Sequence, residues 1–381
     1  MKRYLERYLD DLIPADLRRK MVIVTGPRQV GKTTLSKHLL PAFERSQYLN
    51  WDVTADRMIL SRQSWRSDAT LLVFDEIHKM ALWKNWLKGV FDGRPNDQAI
   101  LVTGSARMDT FRYTGDSMAG RFFAYRLHPF SVKEWCDATG AEPKAALQHL
   151  IDRGGFPEAC LAERTTDADR WRTLYLDRMI RDDILEFSRV REVNSMRTLV
   201  ALLRERVGSP LSLASLARDL GTSPKTVGNY LEILQALFIV FTVRPWHDNI
   251  ARSLLQTPKV YFYDTGLVRG HYGVKLENAT AAMLLKHVQF LNDSKGRETE
   301  LHYVRTKDGA EVDFALSEDR RLTHLIECKT SDSTPHPALK RFAREHPDAN
   351  AVQIVGERRQ PQTLNGIEVT DAASWLAGLA A

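Results

Sequence analysis

Gly26-Pro27-Arg28-Gln29-Val30-Gly31-Lys32-Thr33 is the stretch on which the fold turns. It obeys the spacing G-x-x-x-x-G-K-[ST], and its flanks suit it. The apolar run Met21–Thr25 reads as a buried strand, and Thr34–Leu40 continues as an amphipathic helix. Glycines at both ends let the loop curl its backbone N–H groups around an anion, and the helix N-terminus adds the positive end of its dipole. The segment therefore reads as a phosphate cradle formed by Gly26 through Thr34. Lys32 is expected to reach the β- and γ-phosphates of a nucleotide, and the Thr33 hydroxyl to join a Mg²⁺ shell.

The next two strands extend the site. Leu71-Leu72-Val73-Phe74 is an apolar run ending in Asp75-Glu76. Asp75 suits a Mg²⁺ ligand through water, and Glu76 a residue that orients and polarises attacking water. Ile100–Thr103 is a third such run, ending in Gly104-Ser105-Ala106-Arg107. Taken in order, GPRQVGKTTL, LLVFDEIHK, LVTGSARMD and GGFPE (Gly154–Glu158) resemble a large family of bacterial and archaeal AAA-type (AAA+) ATPases. In that family an ATPase domain precedes a C-terminal region of unknown function. The resemblance implies ATP and Mg²⁺ as ligands and ATP hydrolysis as the activity. It gives Ser105 contact with the γ-phosphate or the water. It also makes Arg121, in Ala119-Gly120-Arg121-Phe122, an arginine finger acting in a neighbouring subunit's site, hence a homo-oligomer. Arg107 and Arg112 compete for that role.

Residues 211–238 carry a second pattern. Leu213, Leu216, Ala217 and Leu220 form one helical stripe, closed by Gly221. Ser223 caps a new helix with Pro224 at its first position, and Val227, Tyr230, Leu231 and Leu234 form its stripe. This is a helix-turn-helix, with Phe238–Val243 available as a wing strand. Five basic residues stand against two acidic ones between Met196 and Tyr230. If the module meets DNA, Ser223, Lys225, Thr226, Gly228 and Asn229 face it, with Lys225 and Asn229 at phosphates or base edges. The alternative is a module that packs on a protein.

Toward the C-terminus, Tyr303–Thr306, a turn at Lys307–Ala310, Glu311–Leu316 and His324–Glu327 read as strands. Asp313 and Glu327 stand fourteen positions apart, Lys329 follows two further on, and Glu277 lies upstream on an amphipathic helix. The set resembles the PD-(D/E)xK nuclease core of Holliday junction resolvases and restriction enzymes, although Val312 replaces the motif's proline. Two carboxylates and the Cys328 carbonyl offer hard oxygen ligands to Mg²⁺, with Glu277 as a further ligand. Lys329, on the same strand face as Glu327, is placed to orient water. The alternative is a fold that keeps the residues without cleavage.

Bulk properties frame these readings. The chain has 381 residues, 43% hydrophobic and 27% charged, with a net charge of +6. That suits two to four domains. Cys136, Cys160 and Cys328 show no metal-type spacing and imply a reduced, cytoplasmic setting. The N-terminal MKRYLERYLDDLI reads as a charged amphipathic helix, and no run is apolar enough for a membrane. The expected class is α/β. A parallel-sheet P-loop AAA+ domain (1–135) precedes a helical lid (136–192) and a winged helix-turn-helix (193–247). A restriction-endonuclease-like α/β domain (248–381) follows. The expected function is ATP hydrolysis coupled to action on duplex or branched DNA, with a metal-dependent nuclease domain. The alternative is a nucleotide-dependent switch that binds a partner protein or promoter DNA without cutting it.

Overall fold

The computed structural model describes residues 4–104, 118–183, 191–247, 257–306, 308–332, 334–357 and 360–381. The chain divides into two compact units, Met1–His128 and Pro129–Ala381.

The first unit is built on a five-stranded parallel sheet. Its strands are β1 (Met21–Thr25), β2 (Ser46–Asn50), β3 (Leu71–Asp75), β4 (Ala99–Thr103) and β5 (Phe122–Arg126), in the spatial order β2-β3-β4-β1-β5. The three central strands β3, β4 and β1 are buried along their whole length. That is why they read as unbroken apolar runs rather than alternating ones. The edge strand β2, Ser-Gln-Tyr-Leu-Asn, buries only Leu49 fully, and its polar composition hides it from pattern reading. Helices α1 (Leu12–Leu17), α2 (Lys32–Leu39), α3 (Thr54–Arg62) and α4 (Trp83–Gly93) complete the unit. The expected N-terminal helix shrinks to α1. Pro14 cannot follow a helix running through residue 10, and the Asp10 carboxylate instead accepts from the Tyr4 hydroxyl (2.8 Å) and the Arg7 amide (2.7 Å).

The second unit opens with α5 (Val132–Thr139), α6 (Pro143–Arg153), α7 (Pro157–Cys160) and α8 (Thr165–Arg178). Then come α9 (Arg191–Arg204), α10 (Leu213–Leu220) and α11 (Pro224–Ala236). The last two fall where the two helices of residues 211–238 are expected. Ser212 and Ser223 cap them through the amides of Ser215 and Thr226, and Gly221 ends α10 in the left-handed region. The expected wing strand starts later, at Val240. Leu237 closes α11 and Phe238 turns through φ 55° before β6 (Val240–Pro245) begins.

β6 pairs antiparallel with β7 (Lys259–Phe262) and parallel with β8 (Thr299–Arg305). It thereby joins a sheet that runs β12-β13-β11-β10-β9-β8-β6-β7. The other members are β9 (Glu311–Glu318), β10 (Arg321–Lys329), β11 (Asn350–Val355), β12 (Gln362–Leu364) and β13 (Ile367–Asp371). The long helix α12 (Tyr272–Lys295) packs against β7, β8 and β10 and buries Leu276, Met283, Leu284 and Val288.

A buried ionic node explains the Gly154-Gly155-Phe156-Pro157 turn. Asp264, at the end of β7, accepts from the Gly266 amide (3.1 Å) and from Arg172 Nε (3.1 Å). Both partners of the ion pair are nearly sealed, at 5% and 2% side-chain exposure. A Cβ on Gly154, whose φ is +73°, would lie 1.8 Å from an Asp264 carboxylate oxygen, and one on Gly155 would lie 2.7 Å from the Phe130 carbonyl. Only hydrogen fits at either position. Burial pushes the Asp264 carboxyl above its ordinary range, against the opposing pull of Arg172. Arg172→Met should therefore cost about 3–5 kcal/mol near neutral pH, since it strands a buried charge. The loss should shrink on acidification through the raised Asp264 pKa, where the carboxyl takes a proton. Denaturant unfolding of both proteins across pH checks magnitude and sign.

Candidate nucleotide site and a C-terminal carboxylate cluster

The nucleotide site grows out of the strand order. β4 lies between β1 and β3, so the C-terminal ends of all three are adjacent: Thr103 pairs with Val24 on one side and with Asp75 on the other. The loop after β1 needs its glycines. Gly26 has φ +142° and a Cβ there would lie 2.3 Å from the Leu127 carbonyl oxygen, while Gly31 has φ 103° at the start of α2. Lys32 is buried and donates to the carbonyls of Gly26 (2.9 Å) and Pro27 (2.6 Å), which hold its ammonium within the loop. Desolvation lowers the Lys32 pKa to about 8, against the pull of Glu76 and Asp75.

Asp75 is 1% exposed and accepts three hydroxyls. Thr33 Oγ1 (2.8 Å) and the Tyr48 hydroxyl (2.5 Å) reach one carboxylate oxygen, and Thr103 Oγ1 (2.6 Å) the other. A hydroxyl and a carboxylate side by side at the mouth of a phosphate cradle are the hard oxygen donors Mg²⁺ requires, so Thr33 and Asp75 fit that ion. Glu76 leaves the strand through φ 57°. Its side chain is 23% exposed, with Lys79 Nζ at 3.3 Å and His78 Nε2 at 3.7 Å. Tyr48 and Thr103 are the members that sequence reasoning missed. Thr103 was visible as a hydroxyl ending a buried strand, whereas Tyr48 sits on the polar edge strand and gave no signal.

Arg121 begins the turn into β5 and pairs with Asp92 through Nε (2.8 Å) and Nη2 (3.0 Å). Ser105, Arg107 and Arg112 lie outside the described residues.

In the second unit, Ser223, Lys225 and Asn229 are exposed on the N-terminal turns of α11, and Thr226 and Gly228 are half-buried. Val227, Tyr230, Leu231 and Leu234 on the opposite face are buried.

The expected nuclease residues do converge. Asp313 on β9 accepts from the Cys328 amide (2.9 Å), Glu327 on β10 accepts from Lys329 Nζ (2.6 Å) and the Asp313 amide (3.3 Å), and Glu277 on α12 accepts from the Tyr261 hydroxyl (2.8 Å). Burial, with the negative charge of Asp313 next, raises the carboxyls of Glu277 and Glu327 to about 7. An unexpected cation, Lys259 of β7, enters the group. It is 1% exposed and lies 2.7 Å from Glu311, 3.6 Å from Glu277 and 3.9 Å from Asp313. Among the described residues, no group of three or more His, Cys, Asp or Glu side chains is disposed to hold a metal ion. The residues therefore come together, with the Lys259 ammonium among them.

Residues 18–136 match the family described as an AAA domain, and residues 144–278 and 272–375 match two domain families of unknown function. An uncharacterized protein of Mycobacterium tuberculosis is 27% identical over 308 residues, 78% of this chain and 67% of that one. One from Haemophilus influenzae is 22% identical over 97% of this chain and 98% of its own. Among solved structures, a Walker-type ATPase of Pyrococcus abyssi aligns with a TM-score of 0.44 and 14% identity, over 68% of this chain and 93% of that one. Among the described residues, no helix is long and apolar enough to cross a membrane.

The Lys32 environment makes a pH prediction. A phosphate beside the ammonium favours its charged form, so the bound pKa exceeds the free value of about 8. Nucleotide affinity should then fall as pH rises above 8, and binding there should take up protons. Calorimetry at pH 8.5 in two buffers of different ionisation enthalpy measures the uptake, and equal apparent enthalpies would contradict it. The glycine cradle, the Lys32 and Asp75 geometry and the family match together identify residues 18–136 as a P-loop ATPase domain of the AAA type.

Proposed function

We propose that this chain hydrolyses ATP with Mg²⁺ and uses the nucleotide cycle to act on duplex or branched DNA. The observation that carries the DNA part is the start of α11. The helix is fixed by its Ser223 cap and its buried stripe, which leaves Lys225 and Asn229 exposed one helical turn apart, without side-chain bonds to the described residues. In a helix-turn-helix this is the surface that meets the major groove.

The chemistry follows from the residues of the first unit. Lys32 neutralises phosphate charge, and the loop amides fix the phosphates in place. Mg²⁺ held by Thr33 and Asp75 would neutralise charge on the phosphate oxygens. Glu76, turned out of the strand beside Asp75, orients the water that attacks. Arg121 serves as the finger of a neighbouring subunit in a homo-oligomer, once it has left Asp92. Glu76→Gln should keep ATP binding while turnover drops by about 10²–10⁴-fold. Filter binding and phosphate release on one preparation separate the two effects, and turnover at the wild-type rate would remove Glu76 from the role.

Cleavage is the finer question. Asp313, Glu327 and Glu277 are gathered but already accept from protein donors, Lys329 among them. That favours the reading in which the chain binds DNA and responds to nucleotide without cutting. For the DNA contact, Lys225→Ala should weaken duplex binding and reduce the slope of log affinity against log salt by about one unit. Fluorescence anisotropy with duplex and four-way-junction probes, in Glu76→Gln with and without ATP, tests this. Unchanged affinity and slope would move the contact elsewhere.

A further inference from the structure

The carboxylates of Glu277, Glu311, Asp313 and Glu327 come from one helix and two neighbouring strands. Such a concentration of negative charge in a largely buried place is costly unless a cation stands among it or some of the carboxyls take up protons. We infer that the ammonium of Lys259 is the resident counter-ion of this cluster and takes the place of a divalent metal, so that the carboxylates form an ionic seat for the segment leading into α10 rather than a hydrolytic centre.

Three observations support the substitution. Lys259 is almost completely enclosed and lies within 4 Å of three of the four carboxylates. Several of the carboxylate oxygens already accept from donors of the chain. The Cys328 amide takes one oxygen of Asp313, Lys329 and the Asp313 amide take the two of Glu327, Tyr261 takes one of Glu277, and Arg305 lies 3.2 Å from Glu311. A divalent ion with oxygen ligands at about 2.0–2.6 Å would have to settle beside the enclosed Lys259 ammonium, which repels it.

The seat itself is legible in the backbone. The Gly208 amide donates to the Val260 carbonyl (3.2 Å), the Leu211 amide to the Pro258 carbonyl (2.8 Å), and Pro210 bridges to Lys259. A Cβ on Gly208 would lie 2.5 Å from a Glu277 carboxylate oxygen. The five residues before α10 are thus moored to the strand that carries the counter-ion and pressed against one of its carboxylates. The inference stands apart from the ATPase and DNA readings and would survive the failure of either.

Mn²⁺ titration of the full chain without nucleotide, by calorimetry, provides the test. Wild type and Asp313→Asn should give the same isotherm; a wild-type Mn²⁺ site that Asp313→Asn removes would overturn the inference. Lys259→Met should lower the thermal midpoint, and Glu311→Gln added to it should restore part of the loss by removing the nearest uncompensated charge. A Lys259→Met midpoint equal to wild type, or no recovery in the double variant, would also overturn it. If Lys259→Met does not accumulate folded, the wild-type and Asp313→Asn comparison decides alone.

Discussion

A carboxylate buried at the end of a central strand governs the first unit. Asp75 would be costly there without partners. Its three hydroxyl donors come from three different elements: Thr33 from α2, Thr103 from β4 and Tyr48 from β2. These elements meet only because β4 is inserted between β1 and β3, with β2 on the far side of β3. The same bonds that make the charge tolerable fix the position of the Thr33 hydroxyl relative to Lys32 one residue earlier. Strand order, charge burial and the phosphate cradle are therefore one constraint seen at three scales.

Much of this was legible in the sequence because the signals are local. The P-loop, the apolar strands β1, β3 and β4 and the Ser-Pro start of α11 each carry their own chemistry within a few residues. Tyr48 was hidden because an edge strand needs no apolar run. Lys259 was hidden for a different reason. A lysine flanked by Pro258 and Val260 reads as an ordinary exposed residue, and only the pairing of β7 with β6 and the bridge to Pro210 place it among acids far along the chain. Asp313, Glu327 and Lys329 could be located from their spacing. What that spacing could not contain was the cation that already balances them.

The glycine pair at 154–155 shows how a motif can look functional and be structural. Its role is to let backbone pass within reach of the Arg172–Asp264 pair and the Phe130 carbonyl, which any larger residue would prevent. Asp264 caps the short helical turn after β7 and holds Arg172. The helical segment before residue 180 and the region after 257 are thus joined by two buried ion pairs, Arg172–Asp264 and Lys286–Glu134, and by two hydrogen-sized gaps. A sequence pattern found far from a nucleotide site can in this way reflect close packing between distant parts of one unit.

β6 has a consequence for how the second unit can be taken apart. It pairs with β7 on one side and β8 on the other, yet in sequence it follows directly from α11. A fragment ending at residue 247 would keep β6 but present both its margins to water, and the complementary fragment would bare the outer margin of β8. Unpaired margins of this kind recruit other chains. The α10–α11 pair and the C-terminal sheet thus share a strand, and proteolytic or recombinant separation at that point is expected to yield self-associating pieces rather than two independent modules.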